Sequence, residues 1–174
     1  WMERPTIIEL RHIGDDEDKA LMIAFILMTV NEYLEKGRPR VSGRNRPRHV
    51  ILIEEAHRLL KRVPEYVSPE VGNSRGKAVE TFTNVISEIR EFGQGLIVVD
   101  QIPSKLAEDV IKNTNIKVVH RTLAKDDRDY VGATMNLTEE QSRELCLLET
   151  GQVVIHREGM DKAFLVQIDR EKDT

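Results

Sequence analysis

The stretch HVILIEEAH, His49 to His57, decides how the chain folds. Four apolar residues in a row, Val50 to Ile53, stop at two carboxylates, Glu54 and Glu55. A run that short and that apolar reads as a strand buried on both faces, as in a parallel sheet. Adjacent like charges at the end of a buried strand are costly unless water reaches them or a cation sits nearby. A metal ion carrying a polyphosphate is one such cation.

The 174 residues suit one domain with its own core. An apolar fraction of 40% and a charged fraction of 32% mark a globular composition rather than a disordered one. The net charge of −4 argues against a uniformly basic nucleic-acid binder and leaves room for a local basic patch. A single cysteine, Cys146, excludes an internal disulfide framework and fits a reducing, cytoplasmic setting. The His and Cys residues show no close ligand spacing, so no structural metal site is expected. No signal peptide is expected from the start, WMERPTIIEL. The most apolar segment, Ala20 to Val30, falls short of the about 20 residues that span a bilayer and reads as a core helix.

Strands and helices alternate along the chain. Thr6 to Ile13 reads as a strand ended by Gly14, and the next segment as a helix capped by Asp15 and closed by Lys36 and Gly37. Asp16, Glu17 and Asp18 favour its positive N-terminal end. Residues 38–48 form a loop, and the strand Val50 to Ile53 is followed by a short helix from Glu55 to about Arg62. Ala78, Phe82, Val85, Ile86, Ile89 and Phe92 recur at steps of three and four and mark one helix face. Leu96 to Asp100 is a second buried-type strand, PSKLAEDVIKN a helix beginning at Pro103, and Ile116 to Thr122 a further strand. Two short helices, DDRDYVGATM and TEEQSRELCLL, precede an antiparallel pair turning at Gly159. Such alternation predicts an α/β fold with parallel strands, and ligands bind there at the carboxyl ends of the strands. Glu54, Glu55, Asp100 and Gln101 all stand at such ends.

VILIEEAH resembles the Walker B strand of a P-loop ATPase. The order of segments is similar to that of the HerA–FtsK superfamily of ring-shaped DNA translocases, on its HerA side. The similarity covers nearly the whole chain: the first strand and long apolar helix, then SRGKAVETFTNVISEIREFGQGLIVVDQIPSKL, then the closing hairpin LLETGQVVIHREGMDKAFLVQI. The resemblance implies a RecA-like core with a mostly parallel sheet, helices on both faces and a C-terminal β-hairpin. Residues 1–174 would be the part of it from Walker B onward. It further implies ATP and Mg²⁺ as ligands, double-stranded DNA as substrate, a homohexameric ring, and a NurA-like nuclease or another effector as partner, in repair, end resection or phage defence, with no membrane.

Roles follow residue by residue from that resemblance. Glu54 would hold Mg²⁺, which prefers oxygen ligands and keeps several waters. Glu55 would polarise the water that attacks the γ-phosphate, and Gln101 would hold that water or sense the phosphate. Arg90 best matches the helix that sends an arginine into a neighbouring subunit's site, with Arg121 and Arg75 as weaker candidates. Arg75 and Lys77, near a loop that could face the ring's pore, are candidates for DNA phosphates. Arg44 and Arg46 are also candidates, but their loop has no interleaved aromatics, and a solvated surface loop is the plainer reading.

One departure stands out. The pattern G-x-x-x-x-G-K-[ST], which cradles the phosphates and supplies a key lysine, is absent from all 174 residues. The chain is therefore expected to be the C-terminal part of a longer ATPase and inactive alone. Two rivals compete: an inactive structural or interaction module of a DNA-processing complex, and a receiver-like phospho-switch. The latter needs an acceptor Asp ending its central strand, where this chain has Glu54. Asp100 reads as a second metal-site acid or a plain turn acid, and His57 as a locally bonded structural residue.

Overall fold

The computed structural model describes residues 3–37, 49–58, 60, 61, 84 and 93–169. The chain divides into two compact units, Trp1–Gln101 with Lys105–Asn113, and Ile102–Ser104 with Thr114–Thr174. The expected helix over 78–92, apart from helical Asn84, and the loops holding Arg44, Arg46, Arg75 and Lys77 lie outside the described residues.

The first unit opens with α1, Asp16–Gly37. Asp15 caps it as the sequence predicts, its Oδ1 accepting the Asp18 backbone N–H at 2.8 Å and so satisfying an otherwise orphaned donor. Ala20, Leu27, Val30 and Leu34 form its buried stripe. The expectation that the Ala20–Val30 helix is buried on most sides is corrected, because Leu21, Met22, Phe25 and Met28 are exposed. A helix apolar on two sides needs two neighbours, and among the described residues only one side is covered. Thr6–Ile13 forms no strand, since no described strand pairs with it, and Ile7 is 89% exposed.

Strands β1, His49–Glu54, and β2, Gln94–Val99, pair in parallel with His49 opposite Gln94 and Glu54 opposite Val99. The burial of β1 is one-sided. Ile53 is buried, whereas Val50 and Leu52 are 56% and 55% exposed, so the two-faced burial inferred from the apolar run does not hold. Ile97, opposite Leu52, is exposed too, as is Val99 opposite Glu54.

Past β1 the short helical piece expected there begins at Ala56: a 3₁₀ turn, Ala56–Arg58, is extended by the Leu60 N–H donating to the Ala56 carbonyl at 2.7 Å. Glu55 itself has φ of 50°, a left-handed conformation that cannot begin a helix. Ala56 is fully buried, and Leu60 accepts the backbone N–H of Ala107 at 2.7 Å. An isolated bridge between Lys61 and Leu106 belongs to the same contact. It draws Leu106 and Ala107 out of the helix expected from Pro103, leaving a 3₁₀ turn at Pro103–Lys105 and a short α2, Glu108–Lys112.

The second unit is a three-stranded sheet in the order β3-β4-β5, with β3 Ile116–Val119, β4 Gln152–Arg157 and β5 Phe164–Gln167. All its pairings are antiparallel. The β4–β5 hairpin turns near Gly159, at φ of 84°, as the sequence indicates. The parallel role expected of the Ile116–Thr122 strand is corrected: it ends at Val119 and runs antiparallel to β4. Among the described residues, parallel pairing is confined to β1 and β2.

Two helices, α3 Lys125–Thr134 and α4 Glu139–Glu144, lead from β3 back to β4. Val131, Leu145 and Leu148 form the buried cluster, with Val119, Leu137 and Val154 packed against it. Thr138 and Gln141 make a reciprocal capping box at the start of α4. Buried Asp127 accepts the Ser104 backbone N–H at 2.9 Å. Burial lowers the pKa of Lys117 below the usual lysine range, with nearby Glu158 opposing the shift.

At Gly132, α3 packs tightly against Ser142 of α4. A Cβ there would meet Ser142 Oγ at 2.8 Å and Cβ at 3.1 Å, and Ser142 is buried with its hydroxyl donating to the Arg128 carbonyl at 2.9 Å. Gly132→Ala gains helix propensity of about 1 kcal/mol but overpacks this contact, at a cost of about 1–3 kcal/mol. The expected net result is a lower urea midpoint. A raised midpoint would contradict the close approach of the two helices.

Candidate functional site

The site begins with the register of β1 and β2. Because Glu54 lies opposite Val99, the residues that follow, Glu55 and Asp100, leave the two strands side by side. Short buried-type strands in parallel therefore deliver acids to one rim without any need for sequence proximity. Glu54 is exposed and alternates onto the same face as Val50 and Leu52.

Glu55 adopts the left-handed conformation, which costs a residue with a Cβ about 1 kcal/mol or more. Such strain persists only where surrounding bonds hold it. Three bonds do so here. The Arg58 N–H donates to the Glu55 carbonyl at 3.0 Å. Arg58 Nε meets the Glu55 carboxylate at 2.7 Å, both side chains being about half exposed. Third, Asp100 Oδ2 accepts the backbone N–H of His57 at 2.6 Å.

Asp100 does more than accept that backbone bond. His57 Nδ1 lies 3.0 Å from each Asp100 carboxylate oxygen. A carboxylate can only accept, so Nδ1 carries the hydrogen. The Asp100 side chain is 4% exposed and that of His57 is 19% exposed. Both Asp100 carboxylate oxygens lie within hydrogen-bond distance of His57, which gives this acid a structural role at the strand end. His57 is bonded across the sheet rather than within its own turn, which corrects the local pairing expected of it. Sequence reasoning missed this pair because the partners stand 43 positions apart. The only available signal was that both lie just beyond strands that turn out to be neighbours.

Gln101 follows directly, exposed, in the bend after β2. The structure thus brings the ends bearing Glu54, Glu55 and Gln101 to one rim through the backbone. Arg121 is exposed, past the end of β3, in the second unit. Arg90 lies outside the described residues.

Among the described residues no group of three or more His, Cys, Asp or Glu could hold a metal ion as an all-protein cage. Magnesium does not require one. It is usually bound through one or two carboxylates plus waters and phosphate oxygens, and an exposed strand-end carboxylate such as Glu54 fits that mode. No helix among the described residues is long and apolar enough to cross a membrane.

Comparison with known proteins gives a consistent picture. The chain resembles the DNA double-strand break repair helicase HerA of Sulfurisphaera tokodaii, with 27% identity over 94% of this chain. It resembles the protein of the same name from Pyrococcus furiosus, with 30% identity over 71% of this chain. It spans 31% and 21% of the lengths of those two relatives. No protein-family model matches it. Among solved structures, the genome packaging NTPase B204 of Sulfolobus turreted icosahedral virus 2, in complex with ATP-gammaS, aligns over 94% of this chain and 67% of its own, with a TM-score of 0.62 and 16% identity. VirB4 of Thermoanaerobacter pseudethanolicus aligns over 92% of this chain and 39% of its own, with a TM-score of 0.64 and 19% identity. The chain therefore shares the fold of the aligned parts of B204 and VirB4.

The strained turn can be tested directly. Glycine takes positive φ without penalty, so Glu55→Gly is expected to leave the urea-unfolding free energy within about 1 kcal/mol of wild type, the exposed Arg58 pair contributing no more than that. Valine at the same position is expected to cost about 1–2 kcal/mol more than glycine. Equal stability of the two variants would contradict a left-handed Glu55.

Proposed function

We propose that the chain is part of the motor domain of a HerA-type, P-loop ATPase that couples ATP hydrolysis to movement along double-stranded DNA. The observation that carries this reading is the parallel rim of β1 and β2, which sets a strained Glu55 beside the strand end bearing Gln101, in a chain similar to HerA helicases over 94% of its length. Strain held at one acid by a buried bond is the kind of feature that functional sites retain. A passive scaffold has no evident need for it.

In this reading Glu54 contributes a carboxylate to Mg²⁺. The ion, when bound with ATP, supplies charge neutralisation at the phosphates. Glu55 accepts a proton from the attacking water, and Gln101 orients that water through its amide. The Glu55 carboxylate must first leave Arg58, an exposed pair worth about 0–1 kcal/mol, so the exchange is inexpensive. The phosphate-cradling loop comes from elsewhere in the full-length protein, since its pattern is absent from these 174 residues. An arginine acting across a subunit boundary, Arg90 first and Arg121 second, completes a site shared between copies in a hexameric ring. Arg75 and Lys77, with Arg44 and Arg46 as further candidates, meet DNA phosphates. A NurA-like nuclease is the fitting partner in end resection.

Glu55→Gln in the full-length protein is expected to lower kcat for ATP by about 10²–10⁴-fold, the usual contribution of a general base, while nucleotide binding is retained. Wild-type turnover in that variant would remove Glu55 from the role of base. Residues 1–174 alone are expected to hydrolyse ATP no faster than background, and a robust rate would show that the phosphate site lies within them.

A further inference from the structure

We infer that His57 and Asp100 form a positioning couple that sets Glu55 and Gln101 in register with one another. This rests on the hydrolytic reading above and deepens it. Asp100 stands at a fork in the structure. Its carboxylate holds the turn after β1 through two groups, the His57 backbone N–H at 2.6 Å and Nδ1 at 3.0 Å. Its own backbone passes directly into Gln101. A shift of the turn relative to β2 therefore changes the separation of Glu55 from Gln101.

The couple is suited to this work on three grounds. Glu55 is held at φ of 50° and would relax if its turn were released. The exposed Arg58 contact is too weak to prevent that. The Asp100 carboxylate, 4% exposed, makes charge-assisted bonds, and leaving such a group unpaired is costly. Neither His57 nor Asp100 needs to touch nucleotide in this role.

The test uses the full-length protein with ATP and Mg²⁺, and reads kcat and KM per folded molecule, with folded fraction taken from thermal melts. Asp100→Ala is expected to lower kcat about 10–100-fold with KM changed less than about 3-fold, the size usual for loss of an orienting partner. His57→Ala is expected to lose less, because the backbone bond to Asp100 survives. His57→Asn carries an amide nitrogen at the same δ position as Nδ1 and is expected to recover most of what His57→Ala loses. The double variant His57→Ala/Asp100→Ala is expected to be no slower than Asp100→Ala alone, as for groups acting as one unit. Wild-type kcat in Asp100→Ala overturns the inference. So does a raised KM with unchanged kcat, or failure of asparagine to outperform alanine at position 57. If Asp100→Ala does not fold, the alanine–asparagine comparison at His57 decides alone. Glu55→Gln separates the two levels. Full turnover there removes the hydrolytic reading itself. An inactive Glu55→Gln beside fully active His57 and Asp100 variants removes only the positioning couple.

Discussion

A single buried carboxylate, that of Asp100, ties the end of one strand to the turn that follows its neighbour. Most of what is chemically suggestive in the molecule depends on that tie. Parallel pairing of β1 and β2 brings the strand ends together, but a register alone fixes only the backbone. The turn carrying Glu55 is strained, and strain needs a restraint. Asp100 supplies one by accepting from both the backbone and the ring of His57. Because both partners are largely buried, water competes poorly for these bonds, and they hold better than the exposed ion pair between Glu55 and Arg58.

The chain's local patterns foretold several elements of the fold, for identifiable reasons. Helix α1 was legible because its cap, its apolar run and its closing Lys36 and Gly37 agree on the same boundaries. β1, β2 and the β4–β5 hairpin were legible because short apolar runs bounded by Gly and acids leave few alternatives. The errors arose where a long-range contact overrode a local preference. The bridge between Lys61 and Leu106 split the helix expected from Pro103. Glu55 took a left-handed conformation, so the short helical piece after β1 begins one residue later, at Ala56. β3 found its partner in β4 and became antiparallel. Burial was the least legible property, since an apolar run says which residues can be covered but not what covers them. Val50, Leu52, Phe25 and Met28 all show this.

The candidate site followed the same division. Glu54, Glu55 and Gln101 could be picked out as candidates because acids and amides at the carboxyl ends of parallel strands stand where α/β folds bind ligands. The link between His57 and Asp100 could not, since it depends on which strands become neighbours and in what register. The chain is similar to HerA helicases over most of its length and shares a fold with B204 and VirB4. The chemistry assigned to the rim remains a consequence of how three side chains are held, and that is a question of geometry.

The most direct measurement is a structure of the full-length protein with Mg²⁺ and a non-hydrolysable ATP analogue. The account predicts the γ-phosphate at the rim of β1 and β2, with Glu55 released from Arg58 onto an ordered water that Gln101 also contacts, and with His57 still bonded to Asp100. Nucleotide bound away from that rim, or a Glu55 carboxylate that remains on Arg58 with no water between it and the γ-phosphate, would contradict it.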